Sequence, residues 1–427
     1  MGMTMAMATD ARRHSIHVTA SASSSPVPRV RWSWGKRSAA ALCAAGVGLL
    51  AITHSLALMT VRTDPVLARQ IAPYDGQITA VRALSIIVSQ PTGKDQAATV
   101  RLAQAALRHE PTAIPAVVTL GLAAQARGWT VSARRWFDYA EMLSRRDSQT
   151  QLWMIEDAVA RGDIAATLRH YDVALRATPS LAPVLYPILV TASADPQIRA
   201  ALAQTLARRP AWSDSFANFL AANATDPRTP AELFVTLHQT GAAVPDPARI
   251  GTINALVARG LVDDAWRYYA IDHPRADRHR SRDPRFAAGL APTVFDWVPA
   301  NEVGISSAIQ RGPEGGVFDF SAPASVGGVL LRQAQILPSG TYRLSGHSVG
   351  IDQVESARPY WQITCADGRE LGRVVMPNSS QDNGTFTGTF QVPANCSVQT
   401  LSLVARPSDA ISGLTGRVDR VILEPMR

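Results

Sequence analysis

The stretch 128–179 reads GWTVSARRWFDYAEMLSRRDSQTQLWMIEDAVARGDIAATLRHYDVALRATP, and it repeats the same kinds of residue 34 positions apart. Two glycines, Gly128 and Gly162, mark the turn in each unit. The landmarks of the two units are Leu120, Gly121, Ala133, Phe137 and Ala140 around the first glycine, and Thr167, Tyr171, Ala174 and Pro179 after the second. A fixed period of this length predicts helical hairpins that stack side by side.

This pattern resembles the tetratricopeptide repeat (TPR), a helix-turn-helix unit of 34 residues. In such a repeat, small residues let paired helices approach, large aromatic residues fill the space to the next hairpin, and proline ends the second helix. The resemblance extends more loosely over residues 80–274 and implies a TPR-like helical solenoid, a surface that binds a protein partner. An unrelated helical domain is the alternative. A set of arginines in the repeats would favour an acidic partner or an anionic polymer, the alternative being a solvated arginine-rich face: Arg127, Arg134, Arg135, Arg145 and Arg146.

The charge of the chain is unevenly distributed. The net charge is +8, and residues 1–37 supply +5 of it, which leaves +3 for the remaining 390 residues. Nucleic-acid binding is therefore not expected, because it requires a basic surface on a folded domain. The hydrophobic fraction of 46% and the charged fraction of 18% are typical of folded protein.

A membrane anchor is predicted near the N-terminus. Residues 39–59 form a run of 21 residues without a formal charge, which is long enough to cross the hydrocarbon core of a bilayer. Basic residues precede the run, so we expect a single pass with the N-terminus in the cytoplasm and the bulk of the chain in the periplasm of a bacterium. The predicted segments are a disordered basic tail at 1–37, a transmembrane helix at 38–60 and a TPR-like domain at 61–274. Cleavage of the anchor as a signal peptide is the alternative.

After Pro274 the pattern changes to a polar linker at 275–293 and then to an all-β domain at 294–427. Six runs of alternating residues predict strands at 327–335, 340–350, 359–365, 384–392, 396–405 and 416–423. The segments LPSGTYRLSG, YWQITC and GTFTGTFQVP resemble those of a jelly roll of the carbohydrate-binding-module type, also called galactose-binding-like. The predicted fold class is thus multi-domain: a transmembrane helix, an α-solenoid and a C-terminal β-sandwich.

Outward-facing residues on two predicted strands form the candidate glycan site. Tyr360 and Gln362 point away from the core on one strand, and Arg343 and His347 point outward on another. If these outward sets form one polar face, an aromatic ring is available for stacking on a sugar, and polar groups are available for its hydroxyls. An ordinary solvated face is the alternative.

Three further residues of the β-domain have predicted roles. In an oxidising compartment Cys365 and Cys396 are expected to form a disulfide, the alternative being two buried thiols. The resemblance to the jelly roll implies a structural calcium ion held by Asp419, because an aspartate on the last strand often has this role in that family. No other cofactor is expected.

The sequence contains no recognisable catalytic motif, so we predict that the protein is not an enzyme. A glycan-processing enzyme is an alternative, since the β-domain contains carboxylates that could form a glycosidase pair: Glu302, Glu314, Asp352, Glu355 and Glu370. The leading hypothesis is a membrane-anchored periplasmic scaffold, an accessory factor in envelope or exopolysaccharide synthesis or export. In a third hypothesis the sandwich only caps the helical array.

Overall fold

The computed structural model describes residues 34–90, 96–289, 291–300, 302–312, 315–409 and 412–426, and the predicted tail up to residue 33 lies outside them. The described part of the chain contains fourteen α-helices followed by ten strands. The helices are α1 (Trp34–Thr60), α2 (Pro65–Ile71), α3 (Gly76–Ser89), α4 (Gln96–His109), α5 (Ile114–Ala126), α6 (Thr130–Leu143), α7 (Ser148–Ala160), α8 (Ile164–Ala177), α9 (Ala182–Ala192), α10 (Pro196–Ala207), α11 (Ser213–Asn223), α12 (Arg228–Gln239), α13 (Asp246–Ala258) and α14 (Val262–Asp272).

The strands are β1 (Val298–Pro299), β2 (Ser306–Gly312), β3 (Gly315–Ala322), β4 (Gly328–Gln335), β5 (Gly340–Val349), β6 (Tyr360–Cys365), β7 (Glu370–Val375), β8 (Thr385–Val392), β9 (Gln399–Ala405) and β10 (Leu414–Pro425). Contacts divide the chain into two compact units, Met1–Ala116 and Val117–Arg427. The fold class predicted from the sequence, helices followed by a β-sandwich with an apolar helix near the N-terminus, is confirmed.

The first unit contains α1, the one helix in the described ranges that is long and apolar enough to cross a membrane. Near its C-terminal end, Ala57 packs with Ala68, Ala72 and Ile78 in a small core. The start of α3 packs closely against the end of α4. A Cβ atom added to Gly76 would lie only 2.7 Å from the Cβ of Glu110, so the close approach depends on glycine at this position. Helix α1 begins at Trp34, four residues before the transmembrane helix predicted at 38–60.

The second unit begins with hairpins that share one turn geometry. Gly128 and Gly162 both have positive φ, 76° and 68°, a conformation that glycine adopts without steric cost. The backbone N–H after each glycine donates to a carbonyl five residues earlier, from Trp129 to Ala124 and from Asp163 to Ala158. The repeated glycine in the sequence therefore corresponds to a repeated helix-ending turn.

The spaced small and aromatic residues are the contacts between these helices. Phe137 is fully buried and stacks on Trp153 of α7, with ring centroids 4.2 Å apart. A Cβ atom on Gly121 would lie 2.7 Å from the Phe137 ring, so the ring also requires a glycine on α5. Five further landmarks on α5, α6 and α8 are buried, namely Leu120, Ala133, Ala140, Tyr171 and Ala174, whereas Thr167 is partly exposed, and Pro179 begins a short 3₁₀ turn after α8.

The strands form two antiparallel five-stranded sheets. The first sheet has the order β1-β4-β9-β6-β7, and the second has the order β2-β3-β10-β5-β8. Their inner faces share one core, to which β6 contributes Trp361 and Ile363 and β5 contributes Tyr342 and Leu344. The six predicted strands are present within a few residues of the expected bounds, whereas β1, β2, β3 and β7 were not predicted.

A buried arginine, Arg282, joins the last helices to the sandwich. It is 6% exposed, and its guanidinium donates hydrogen bonds to the carbonyl of Phe295 at 2.8 Å, to Gln335 Oε1 at 3.2 Å and to the carbonyl of Ala334. It also lies over the ring of Trp266 on α14, 5.7 Å from the centroid. The segment predicted as a polar linker is therefore packed at its centre against both neighbours.

Neighbouring groups complete this junction. The Tyr269 hydroxyl on α14 donates to Asp296 at 2.7 Å, and Asp296 also accepts from the backbone and hydroxyl of Thr293, each at 2.8 Å. The backbone of Ser281 pairs with Leu423 of β10, N to O, at 2.9 Å. Phe295 and Ile336 belong to the same apolar cluster as Tyr269, so the helical core extends onto the edge of the sandwich, whose own core is a separate cluster.

A disulfide closes one end of the first sheet. Cys365 ends β6 and is bonded to Cys396, which precedes β9, with their Cα atoms 5.6 Å apart. Strands β6 and β9 are hydrogen-bonded neighbours, and Cys365 is opposite Gln399 in their register. The bond therefore reinforces a pairing that the sheet already makes.

Replacing Phe137 with alanine is expected to lower the free energy of unfolding by about 3 to 5 kcal/mol, because it opens a cavity against Trp153. Urea unfolding of the detergent-solubilised chain, followed by fluorescence, measures this change. Met142→Ala on the same helix is the control, since Met142 is 78% exposed. Equal stability of the two variants would contradict a role for Phe137 between hairpins.

Replacing Arg282 with leucine is expected to destabilise the second unit by about 3 kcal/mol, because three buried acceptors lose a charged donor. The neighbouring Arg280→Ala variant, in which an exposed ion pair with Asp277 is lost, is expected to change stability by less than about 0.5 kcal/mol. The same unfolding measurement compares them. A wild-type unfolding curve for Arg282→Leu would show that the junction does not depend on the guanidinium.

Mass spectrometry of non-reduced protein purified from cells is expected to find Cys365 linked to Cys396. Replacing both with serine is expected to cost about 3 to 4 kcal/mol, given a sequence separation of 31 residues. Recovery of both residues as free thiols would contradict the disulfide and, with it, an oxidising location for the sandwich.

Candidate functional site: the outer faces of the sandwich

The four residues of the predicted glycan site do not share a face. Tyr360 and Gln362 lie on β6 of the first sheet, whereas Arg343 and His347 lie on β5 of the second. Both strands bury their alternate residues in the common core, so their outward residues point to opposite sides of the sandwich. The prediction of one polar face containing all four is therefore wrong, because the sequence does not show which strands share a sheet.

On the first sheet, Tyr360 is already in contact with two arginines. The guanidinium carbons of Arg373 and Arg406 lie 4.6 and 4.8 Å from the centroid of its ring. Arg373 also makes two hydrogen bonds to Glu370, at 2.6 and 2.7 Å. A sugar that stacked on Tyr360 would have to displace a cation from the ring, so these contacts disfavour the predicted stacking role.

On the second sheet, the structure brings together two residues that were predicted to belong to different sites, one for a glycan and one for calcium. His347 Nδ1 lies 2.7 Å from Asp419 Oδ2. Asp419 is the extra residue of a β-bulge in β10, because Val418 pairs with Ser348 and Arg420 pairs with His347. The bulge places Asp419 and Arg420 side by side on the outer face while Val418 and Val421 stay in the core.

This bulge had a signal in the sequence. The inward-facing residues of β10 are Val418, Val421 and Leu423, and the three-residue step between the first two breaks the period of two. Such a step within a strand indicates an inserted residue. We therefore attribute the convergence of His347 and Asp419 to a local irregularity rather than to regular alternation.

A groove of about 800 Å³ lies beside this pair. Its lining residues are Arg285, Gly312, Gly315, Gly316, Val317, His347, Asp419 and Arg420. Gly316 lets the incoming chain approach β3, since its backbone N–H donates to the Arg285 carbonyl at 2.7 Å and a Cβ atom there would collide with the Phe286 carbonyl. Arg285 was not predicted as a site residue because it lies in the segment interpreted as a linker.

The described residues that line the groove have an excess of positive charge. Among the described residues that line it, the one carboxylate is Asp419, which is engaged by His347, and the exposed side chains of Arg285 and Arg420 form no ion pair with the described carboxylates. A guanidinium group without such an ion pair keeps N–H donors available, and their planar, forked arrangement matches the two oxygens of a carboxylate. The groove is therefore suited to an anionic ligand.

A second groove of about 500 Å³ continues on the same sheet. It is lined by Ser306, Ala308, Gln310, Asp319, Phe320, Ser321, Val349, Gly350, Thr415, Gly416 and Arg417. Arg417 Nε donates to Asp319 Oδ1 at 2.9 Å, which neutralises this part of the surface. Both grooves cross β3 and β10, so together they form a polar strip of hydroxyl, amide and charged groups.

The environment of Asp419 does not fit the calcium site that the resemblance implied. Calcium takes six to eight oxygen ligands. Across the described ranges there is no group of three or more His, Cys, Asp or Glu side chains that could hold a metal ion. The imidazole of His347 also occupies one carboxylate oxygen of Asp419.

The proposed carboxylates of an enzyme receive no support as a pair. Glu314 lies outside the described residues, and Glu370 is held by Arg373. The structure therefore leaves the prediction of a non-enzyme untested.

In the repeats, one arginine that was predicted to face a partner is used internally. Arg134 on α6 donates to Asp157 on α7 at 2.7 Å, and Arg161 donates to the same carboxylate at 3.1 Å. These hydrogen bonds, led by that of Arg134, lower the pKa of Asp157. Arg135, Arg145 and Arg146 remain exposed.

Comparisons with known proteins give little further information. No family model matches the chain, and no curated protein matches it. Three of the solved structures with partial similarity illustrate its extent. The enzymatically active domain of tailspike protein 4 from bacteriophage CBA120 has 12% identity and a TM-score of 0.22, over 31% of this chain and 20% of that one.

The other two structures are streptococcal. The accessory secretory protein 1, 2 and 3 structure from Streptococcus pneumoniae has 14% identity and a TM-score of 0.21, over 29% of this chain and 87% of that one. The glycosylation-associated Gap123 complex from Streptococcus agalactiae has 13% identity and a TM-score of 0.21, over 30% of this chain and 44% of that one. This chain thus spans only a fifth of the tailspike domain, and similarities this low do not establish a shared function.

Proposed function

We propose that this protein is a membrane-anchored scaffold that binds an acidic envelope polysaccharide through the second sheet of its sandwich and a protein partner through its TPR-like repeats. Helix α1 anchors it in the bacterial inner membrane, with the N-terminus in the cytoplasm and the rest in the periplasm. Its role is binding rather than catalysis, as an accessory factor in exopolysaccharide synthesis or export.

The groove beside His347 and Asp419 is the observation that carries this proposal. Arg285 and Arg420 lie at one groove without ion-pair partners among the described carboxylates, and the adjoining groove contains hydroxyl and amide groups. Sugar hydroxyls pair with such groups, and the carboxylate of an acidic sugar pairs with a guanidinium. A polymer lying along the strip would meet both kinds of group.

The junction at Arg282 supports the scaffold role. The sandwich and the last helices belong to one compact unit and are joined by buried hydrogen bonds, so a polymer bound at the groove would be held close to the repeats of the same unit. A flexible linker at this point would not hold a bound polymer close to the repeats.

The experiment titrates the full chain in nanodiscs with oligomers of alginate, a polyuronate, and with dextran, a neutral glucan, of matched length. We expect alginate to bind more tightly than dextran, and more weakly as the salt concentration rises. Arg285→Ala and Arg420→Ala are each expected to weaken alginate binding about tenfold, which corresponds to 1.4 kcal/mol.

Arg406→Ala on the opposite sheet is the matched control and should leave binding unchanged, as should Tyr360→Ala. If these two variants lose binding while Arg420→Ala keeps it, the first sheet is the glycan face and the groove is not.

A purely structural role is the second candidate, and one observation favours it. The sandwich covers an apolar surface of the last helix, where Trp266 and Tyr269 pack against Phe295 with ring centroids 5.7 and 5.3 Å apart. Capping the end of a helical array in this way protects its final apolar face from water. A chain that binds neither polymer, at either salt concentration, supports this role instead of the first.

A further inference from the structure

The end of α1 is tied to the residues that follow it in the first unit. The Thr53 and Tyr74 hydroxyl oxygens lie 3.2 Å apart, and His54 Nδ1 lies 3.0 Å from Asp75 Oδ2. Asp75 in turn caps α3 by accepting from the Ile78 N–H at 2.9 Å. The chain therefore folds back after α1, and Tyr74 returns to a level about 10 Å before the end of that helix, given 1.5 Å per residue.

These contacts indicate where α1 leaves the bilayer. A pair of titratable groups such as His54 and Asp75 is costly in hydrocarbon, so it belongs at or beyond the surface. The stretch from Trp34 to Thr53 spans about 30 Å as a helix, which equals the thickness of the hydrocarbon core. Every described side chain from Trp34 to Ile52 is exposed, whereas Ala57 is buried by protein.

The opposite end of this stretch is consistent with the same placement. Trp34 is 86% exposed at the start of α1, and tryptophan is typical of the membrane interface. Lys36 and Arg37 lie within a turn of it and can extend their charged ends to the headgroups. The lipid-facing stretch thus lies about six residues closer to the N-terminus than the uncharged run 39–59 predicts.

At the other surface, α2 and the turn before α3 expose apolar side chains. Val66, Leu67 and Tyr74 are 43%, 42% and 48% exposed, although the opposite side of α2 is packed through Ala68 against Ala57. Exposed arginines, Arg62 and Arg69, lie among them. Apolar and basic side chains on one short amphipathic segment are typical of elements that lie in the headgroup layer.

We propose that α2 and the turn before α3 lie in the headgroup layer of the bilayer that α1 crosses, with Val66, Leu67 and Tyr74 in contact with lipid. The inference rests on the proposed membrane anchoring by α1. It identifies a second membrane contact, which sets the depth of α1 and orients the start of the first unit at the bilayer surface.

Spin labels test this placement in the full chain reconstituted into nanodiscs of phosphatidylethanolamine and phosphatidylglycerol. In a Cys43→Ser background without reductant, single cysteines at Val66 and Leu67 are labelled and their accessibility to oxygen and to a water-soluble nickel complex is measured. Leu50→Cys is the lipid reference, and Val354→Cys, at a position 61% exposed on the sandwich, is the aqueous reference.

We expect the labels at Val66 and Leu67 to be at least about twofold less accessible to the nickel complex than the label at Val354, as for side chains that enter the headgroup layer. Values equal to those at Val354, with Leu50 still protected, would overturn the proposal while leaving the anchor intact. A water-accessible label at Leu50 would instead overturn the anchor itself, and the second contact with it.

Discussion

The arrangement of the second unit depends on the burial of one charged side chain, Arg282. Burial lowers the pKa of Arg282 to about 10, so the guanidinium is still protonated at neutral pH. A buried cation is tolerated only when its donors are paired, and here carbonyls of the chain and a glutamine side chain accept from it while Asp296 lies nearby. The groups that satisfy it come from the sandwich and its entry segment, and the ring of Trp266 beneath it comes from α14. Removing any of these partners would leave the buried guanidinium without one of the contacts that offset its burial. The need for these contacts therefore holds the sandwich and the last helices together.

The regular parts of this fold were readable from the sequence because they repeat. The 34-residue spacing predicted the turns at Gly128 and Gly162 and the burial of Phe137, since helix packing is set by residues close in the chain. The alternation of inward-facing and outward-facing residues predicted six strands, because this pattern also depends on residues that are close in the chain. The strand β3 was missed although it alternates, and β2 and β7 were missed because much of their surface is exposed.

The candidate site was less predictable because it depends on contacts between distant segments. His347 and Asp419 were both singled out, but their pairing requires β5 and β10 to be neighbours, and strand order cannot be deduced from alternation. Arg285 lies in the segment predicted as a polar linker, and only the approach of that segment to Gly316 places it at the groove. Charge in a sequence thus indicates solvent exposure only on average, as the burial of Arg282 in the same segment shows.

The bulge at Asp419 has a consequence for how β10 tolerates change. Ahead of the extra residue, Val418 faces the core, and after it the inward positions resume at Val421 and Leu423. Loss of one residue between Val418 and Val421 would leave these two residues two positions apart, so both would still face the core of a regular strand paired with β5. The extra residue is therefore not required by the apolar core of β10, whereas the adjacent positions of Asp419 and Arg420 on the outer face depend on it.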